Sequence, residues 1–188
     1  MNRTELTAVF DHPDQAQIRA DLTAYFGPRP ERFLAVYDRM RQAGAERWVR
    51  PLSWNAAVFF FSFVWFFYRK RYSLGVVTLL LSILMVGFGL SYAQQARVGF
   101  DGLVLGMVLS FFADTWYVRS AVRRIFEADD LELVGEQRQN YLRLAGGVSK
   151  TAGSLAVIGF VIVFLLAGLS LFGEMLCACG EIGSIHTG

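Results

Sequence analysis

Residues 54–91 read WNAAVFFFSFVWFFYRKRYSLGVVTLLLSILMVGFGLS, two apolar blocks divided by the basic run Arg69, Lys70 and Arg71. The second block, 73–91, carries no charge and has the length of a transmembrane helix. The first, 54–68, is crowded with aromatic residues and covers only about 22 Å at helical rise, against a hydrocarbon core of about 30 Å. Basic residues flank it on both sides, with Arg47 and Arg50 before it, and Trp and Tyr favour the headgroup level. The reading is therefore a re-entrant or interfacial helix; the alternative is a short tilted fourth span starting near Pro51.

Working outward, residues 102–117 and 154–173 form two further apolar spans. The chain is 54% hydrophobic, 15% aromatic and 18% charged, and its charges fall between the apolar blocks. The fold class expected is an all-α integral membrane protein with three transmembrane helices plus the short aromatic one. The expected organisation is a soluble amphipathic helical segment at 1–50, a membrane domain at 51–173 with a cytoplasmic polar segment at 118–153, and an external tail at 174–188. Arg69 to Arg71 and Arg119, Arg123 and Arg124 mark the cytoplasmic side, whereas the loop holding only Arg97 and the tail lacking Lys and Arg mark the outside. A re-entrant 54–68 puts the N-terminus inside, and a spanning one puts it outside. No removable signal peptide is visible at the start.

The N-terminal segment shows two helical stripes. Asp11, Pro13 and Asp14 mark a start, Ile18, Leu22 and Phe26 recur at spacing four, and Gly27-Pro28 ends the run. A second helix opens at Pro30-Glu31, with Phe33, Tyr37 and Met40 on its stripe and Gly44 as terminator. Two short amphipathic helices bury too little to fold alone, so they pack on each other, on the membrane surface or on the polar segment after residue 118.

The run WNAAVFFFSFVWFFYRKRY at 54–72 resembles the signature of a bacterial membrane family filed as domain of unknown function 2628: a Trp, small residues, a Phe run, another Trp and a Tyr-Arg-Lys ending. Upstream, YFGPRPERFLAVYDRM at 25–40 is similar to that family's pre-membrane helical element, and ADTWYVRSAVRRI at 113–125 to its tyrosine-containing segment at the end of a later span. A Gly-Pro pair often interrupts the family's Phe run; here Ser62 and Phe63 stand there, so the resemblance supplies no proline kink. It implies an inner-membrane, multi-pass architecture and carries no activity.

Candidate functional residues are few. Phe61, Trp65 and Tyr68 share a face with Trp54, fit for a lipid, ligand or partner helix, or for an interfacial belt. Arg69, Lys70 and Arg71 suit anionic headgroups as well as topology. Asp114 is the acid embedded in a span, a position where an ionisable group raises a functional hypothesis by default. Its nearest base in sequence, Arg119, lies about 140° around the helix, and position 118 is Val, so no i,i+4 pair forms. Trp116 and Tyr117 place Asp114 within a turn of the headgroups. Gly102, Gly106 and Ser110 make a small-residue stripe for close helix packing, within the chain or against another.

Other patterns are weaker. Glu127, Asp129, Asp130 and Glu132 lack the ligand order of a calcium loop, and Arg123 and Arg124 are placed to pair with Glu127. GGVSKT at 146–151 lacks the glycine before its lysine that a phosphate loop needs. Cys177, Cys179 and His186 are an incomplete metal set, and no metal or other cofactor is expected. The two histidines, His12 and His186, build no catalytic triad. The function expected is a non-enzymatic accessory, scaffold or assembly subunit; the alternative is a small transporter or channel component using Asp114. Its partners are membrane lipids and a membrane protein or a second copy, without nucleic acid.

Overall fold

The computed structural model describes residues 3–44, 53–91, 98–162, 165 and 168. Among these, every regular element is an α-helix: α1 Arg3–Phe10, α2 Gln15–Phe26, α3 Glu31–Ala43, α4 Ala56–Tyr68, α5 Tyr72–Ser91, α6 Val98–Asp130 and α7 Gly135–Ala145. An eighth, α8, resumes at residue 150 and is described to 162. The all-α class agrees with the sequence reading. One described stretch, Gly135–Ile162, is long and apolar enough to cross a membrane, against three spans expected; α4 and Tyr72–Leu84 of α5 are shorter apolar helices. Within that stretch the backbone breaks at Gly146-Gly147, where Gly147 takes φ of +74°, and the apolar part lies in α8.

The N-terminal helices form where their stripes predict. Asp14 caps α2 by accepting from the Gln17 amide at 2.9 Å, and Gly27, with φ of +67°, stops it. Ile18, Leu22 and Phe26 of α2 are all buried, as are Phe33, Tyr37 and Met40 of α3. Helix α1, not foreseen, is held at its end by Gln15, whose amide donates to the carbonyls of Val9, Phe10 and His12.

Helix α6 is the backbone of the fold. It was expected to end at 117 but runs on to Asp130, because VRSAVRRIFEADD contains no helix breaker; the change of polarity near 118 marks a change of surroundings, not of conformation. Its later half, from Ala113 through Tyr117, Ala121, Val122 and Ile125, is buried under α1, α2, α3 and α7. Its earlier turns leave Val104, Met107 and Val108 exposed. The molecule thus has a cap of packed helices with α5, α8 and the start of α6 leaving it.

Helix α4 bends. Phe61 takes φ −125° and ψ 22°, outside the helical region, although neither glycine nor proline is present there. The Asn55 amide donates to the Ser110 carbonyl at 3.1 Å, and a Cβ at Gly106 would stand 2.9 Å from the Phe59 carbonyl oxygen. Up to Phe59 the chain therefore runs antiparallel along α6, from the level of Ser110 to that of Gly106. After the bend it turns back: the Trp65 ring lies 5.9 Å from that of Tyr117, and the Arg69 guanidinium 5.3 Å from it. Tyr117 is about 16 Å along α6 from Gly106, so both ends of α4 meet the same cap.

Candidate functional site

Two polar clusters fasten α4 to the cap, one at each end. At the first, the Asp114 side chain is fully buried. Its Oδ2 accepts from Arg32 Nε at 2.9 Å, from Arg32 Nη2 at 2.7 Å and from Ser53 Oγ at 2.9 Å, while Oδ1 accepts from Asn55 Nδ2 at 2.6 Å. Arg32 Nη2 also donates to the Trp54 carbonyl. Asn55 serves twice, because its Oδ1 accepts from the Val58 amide and caps α4. Three donors thus converge on Oδ2 and one on Oδ1, so both carboxylate oxygens are engaged. The partner base is Arg32 in α3, not a residue on α6; nothing local in the sequence announces it.

At the second end, the three basic residues after Tyr68 meet the cap. Arg69 is 8% exposed and turns inward. Its Nη1 donates to the Phe26 carbonyl at 2.9 Å, and its guanidinium lies 4.6 Å from the Phe33 ring centre and 5.3 Å from that of Tyr117. Its Nε is buried without a partner among the described residues. Lys70, held at φ +56°, donates through Nζ to the Leu144 carbonyl at 3.0 Å. Phe26 ends α2, and Leu144 lies in the last turn of α7. Two of the three cations therefore meet the C-terminal ends of helices, where unpaired carbonyls and the dipole favour positive charge. Arg71 is only partly buried and begins the step into α5.

Tyr117 is the hub between the clusters. Its ring lies 4.9 Å from Phe33, 5.6 Å from both Tyr25 and Phe26, and 5.9 Å from Trp65. Gly146 and Gly147 close the far side, where the Gly147 amide donates to the Tyr25 carbonyl at 2.6 Å. The GGVSKT sequence is thus a backbone crossing.

The small-residue stripe packs inside the chain at two of its three positions: Gly106 lies under Phe59, and buried Ser110 holds Asn55 through its carbonyl. The surroundings of Gly102 lie outside the described residues. The aromatic face divides. Trp54, 45% exposed, packs on Phe59 and Phe111, away from the other three. Phe61, Trp65 and Tyr68 line one wall of a groove of about 820 Å³ whose other wall is α8, with Lys150, Ser154 and Ile158.

A second buried ion cluster lies in the cap. Arg138 donates through Nε to Asp21 at 2.7 Å and through Nη1 to Asp129, and Gln139 and Gln17 donate to Asp21 Oδ1. Burial raises the Asp21 carboxyl above its ordinary range, and Arg138 and Gln17 pull it back only in part. Burial also works against charge on Glu127, but Arg124, the Tyr141 hydroxyl and Arg123 hold its carboxyl below the usual range. Among the described residues no group of acids, His and Cys is placed to hold a metal ion. Cys177, Cys179 and His186, with the tail 174–188, lie outside the described residues.

A model of a family described as a protein of unknown function, DUF2628, matches residues 15–123, more than half of the chain. That match begins at the first residue of α2 and ends within α6, so it holds the Asp114 cluster and the Arg69 contacts with Phe26, Phe33 and Tyr117, and leaves α7, with Leu144, and α8 outside. No curated protein and no solved structure matches the chain.

Proposed function

We propose that this chain, which belongs to the DUF2628 family, is a non-enzymatic accessory, scaffold or assembly subunit of a bacterial inner membrane, working through lateral helix faces and a cytoplasmic helical cap. The observation that carries this reading is the closed state of Asp114. A carrier or channel built on an intramembrane acid needs that acid open to an ion or water, yet Asp114 is buried and both of its oxygens are already engaged by Arg32, Ser53 and Asn55. Its geometry suits a clamp between α3, α4 and α6.

In this reading α5, the first half of α6 and α8 cross the bilayer, and α4 dips into it and returns. Support comes from exposed apolar side chains on all three, among them Leu80, Leu84, Met107, Val108, Ile158 and Ile162, the kind of surface that meets lipid or a partner. The cap carries Arg119, Arg123 and Arg124 and the basic turn after α4, a clustering of cations that favours the cytoplasmic side in this reading. The C-terminal tail is then external. Purification in a mild detergent tests the functional part: a stoichiometric membrane-protein partner is expected, and a homogeneous homo-oligomer alone contradicts it.

A further inference from the structure

We propose that the groove between α4 and α8 is a binding site for one anionic phospholipid, with an acyl chain along the groove and the phosphate at Lys150. The proposal rests on the membrane placement given above. The groove's volume of about 820 Å³ falls within the roughly 300–1,000 Å³ of sites that hold small molecules. Its polarity runs in one direction. Tyr68 and Lys150 stand at the end where the Ser149 amide donates to the Tyr68 carbonyl, beside the cap; Phe61 and Ile158 stand at the end away from it. From Lys150 to Ile158 α8 advances about 12 Å, room for the upper part of a chain. Among the described residues nothing pairs with the Lys150 ammonium or hydrogen-bonds the Tyr68 and Ser154 hydroxyls, whereas the neighbouring Lys70 ammonium is engaged by Leu144. A cation and two hydroxyls that no described residue engages, on the walls of an apolar trough, complement a lipid phosphate followed by hydrocarbon, and the cation selects anionic over zwitterionic lipid. Gly153 seats α8 against Tyr68, where a Cβ would come within 2.9 Å of the ring, and so holds the two walls at this spacing.

Brominated lipid tests this, because bromine on an acyl chain quenches tryptophan only at close range and Trp65 lines the groove. The full chain is reconstituted in phosphatidylcholine vesicles containing a minor fraction of chain-brominated phosphatidylglycerol or, in parallel, chain-brominated phosphatidylcholine. One interfacial cation corresponds to about fivefold local enrichment, so half-quenching is expected at about fivefold less brominated phosphatidylglycerol than brominated phosphatidylcholine. Lys150→Glu should abolish that preference with circular dichroism unchanged; Trp65→Phe should remove most of it, and Trp54→Phe should leave it. Ser154→Phe, which fills the groove without adding a tryptophan, should abolish the preference without changing the oligomeric state. Equal quenching by the two lipids, a preference that survives Lys150→Glu, or loss of the preference to inorganic phosphate would each overturn the site while leaving the membrane reading intact. A dimer that dissociates on Ser154→Phe would identify a second copy as the occupant. Failure of the chain to float with either vesicle would overturn both readings.

Discussion

Arg32 of α3 donates through Nε and Nη2 to a single oxygen of Asp114 in α6, across 82 positions of chain. This contact ties α3 to the helix that leaves the cap. It joins two elements that the sequence presents as belonging to different solvents.

Removing either partner should loosen that tie without unfolding the protein. The carboxylate is buried but the Arg32 side chain is 45% exposed, so solvent screens the pair and its coupling falls to about 1 kcal/mol. A double-mutant cycle of Arg32→Ala and Asp114→Asn, read by thermal unfolding in detergent, should return that value. Additive single effects would mean that the two residues act independently. The transporter alternative is tested by the same Asp114→Asn chain in proteoliposomes: no ion flux that depends on Asp114 is expected.

The buried pair in the cap should behave differently, because Arg138 is almost fully enclosed with Asp21. Arg138→Ala leaves an uncompensated buried acid and should cost about 3–5 kcal/mol at neutral pH. The sign of its pH dependence follows from Asp21, whose folded carboxyl is already raised by burial. With a folded pKa above the unfolded one, the folded state binds more protons, so stability falls as pH rises through that window. Losing Arg138 widens the window upward. Denaturation midpoints should therefore show Arg138→Ala recovering as pH drops toward the unfolded carboxyl's range, and Asp21→Asn on that background should rescue it at neutral pH. A deficit independent of pH would contradict this account.

Arg69 should not tolerate lysine. Its planar guanidinium reaches the Phe26 carbonyl while lying against Phe33 and Tyr117, a geometry that an ammonium does not reproduce. Arg69→Lys should cost about 2 kcal/mol, combining the lost ring contacts with a poorer charged hydrogen bond. Lys70→Arg, on the more open neighbouring position, should cost much less; equal losses at the two positions would place both in the same environment.

Gly146 is a stricter position than its place in a loop suggests. A Cβ there would stand 2.2 Å from the Tyr25 carbonyl oxygen, which is backbone and has little freedom to move. Gly146→Ala should destabilise by about 1–3 kcal/mol in urea titration, whereas Gly159→Ala, with nothing within 4 Å, should be near neutral.

Much of this fold is legible in the residues themselves. The α2 and α3 stripes name six buried core side chains, and Gly27 and Gly44 mark the helix ends, because amphipathic period and chain-reversal chemistry are local properties. The basic run after Tyr68 stands out in the sequence, but its direction does not. Charge counting sees a cytoplasmic marker, whereas Arg69 points into an aromatic box assembled from α2, α3 and α6. The bend at Phe61 has no local signal either, since its residues favour a continuous helix; contacts with Gly106 on one side and Tyr117 on the other bracket it. Asp114 is visible as an anomaly and Arg32 is not, because a partner 82 residues away leaves no spacing to read.

The central claim, that α4 dips and returns, fixes the number of crossings as odd, and two-ended thiol labelling tests it most directly. Cys177 and Cys179 should react with a membrane-impermeant maleimide in intact cells. A cysteine at the position of Thr7, placed in a chain lacking both, should react only after permeabilisation. Labelling of both ends in intact cells would mean that α4 crosses the bilayer, and labelling of neither would place both ends inside; either result contradicts the account.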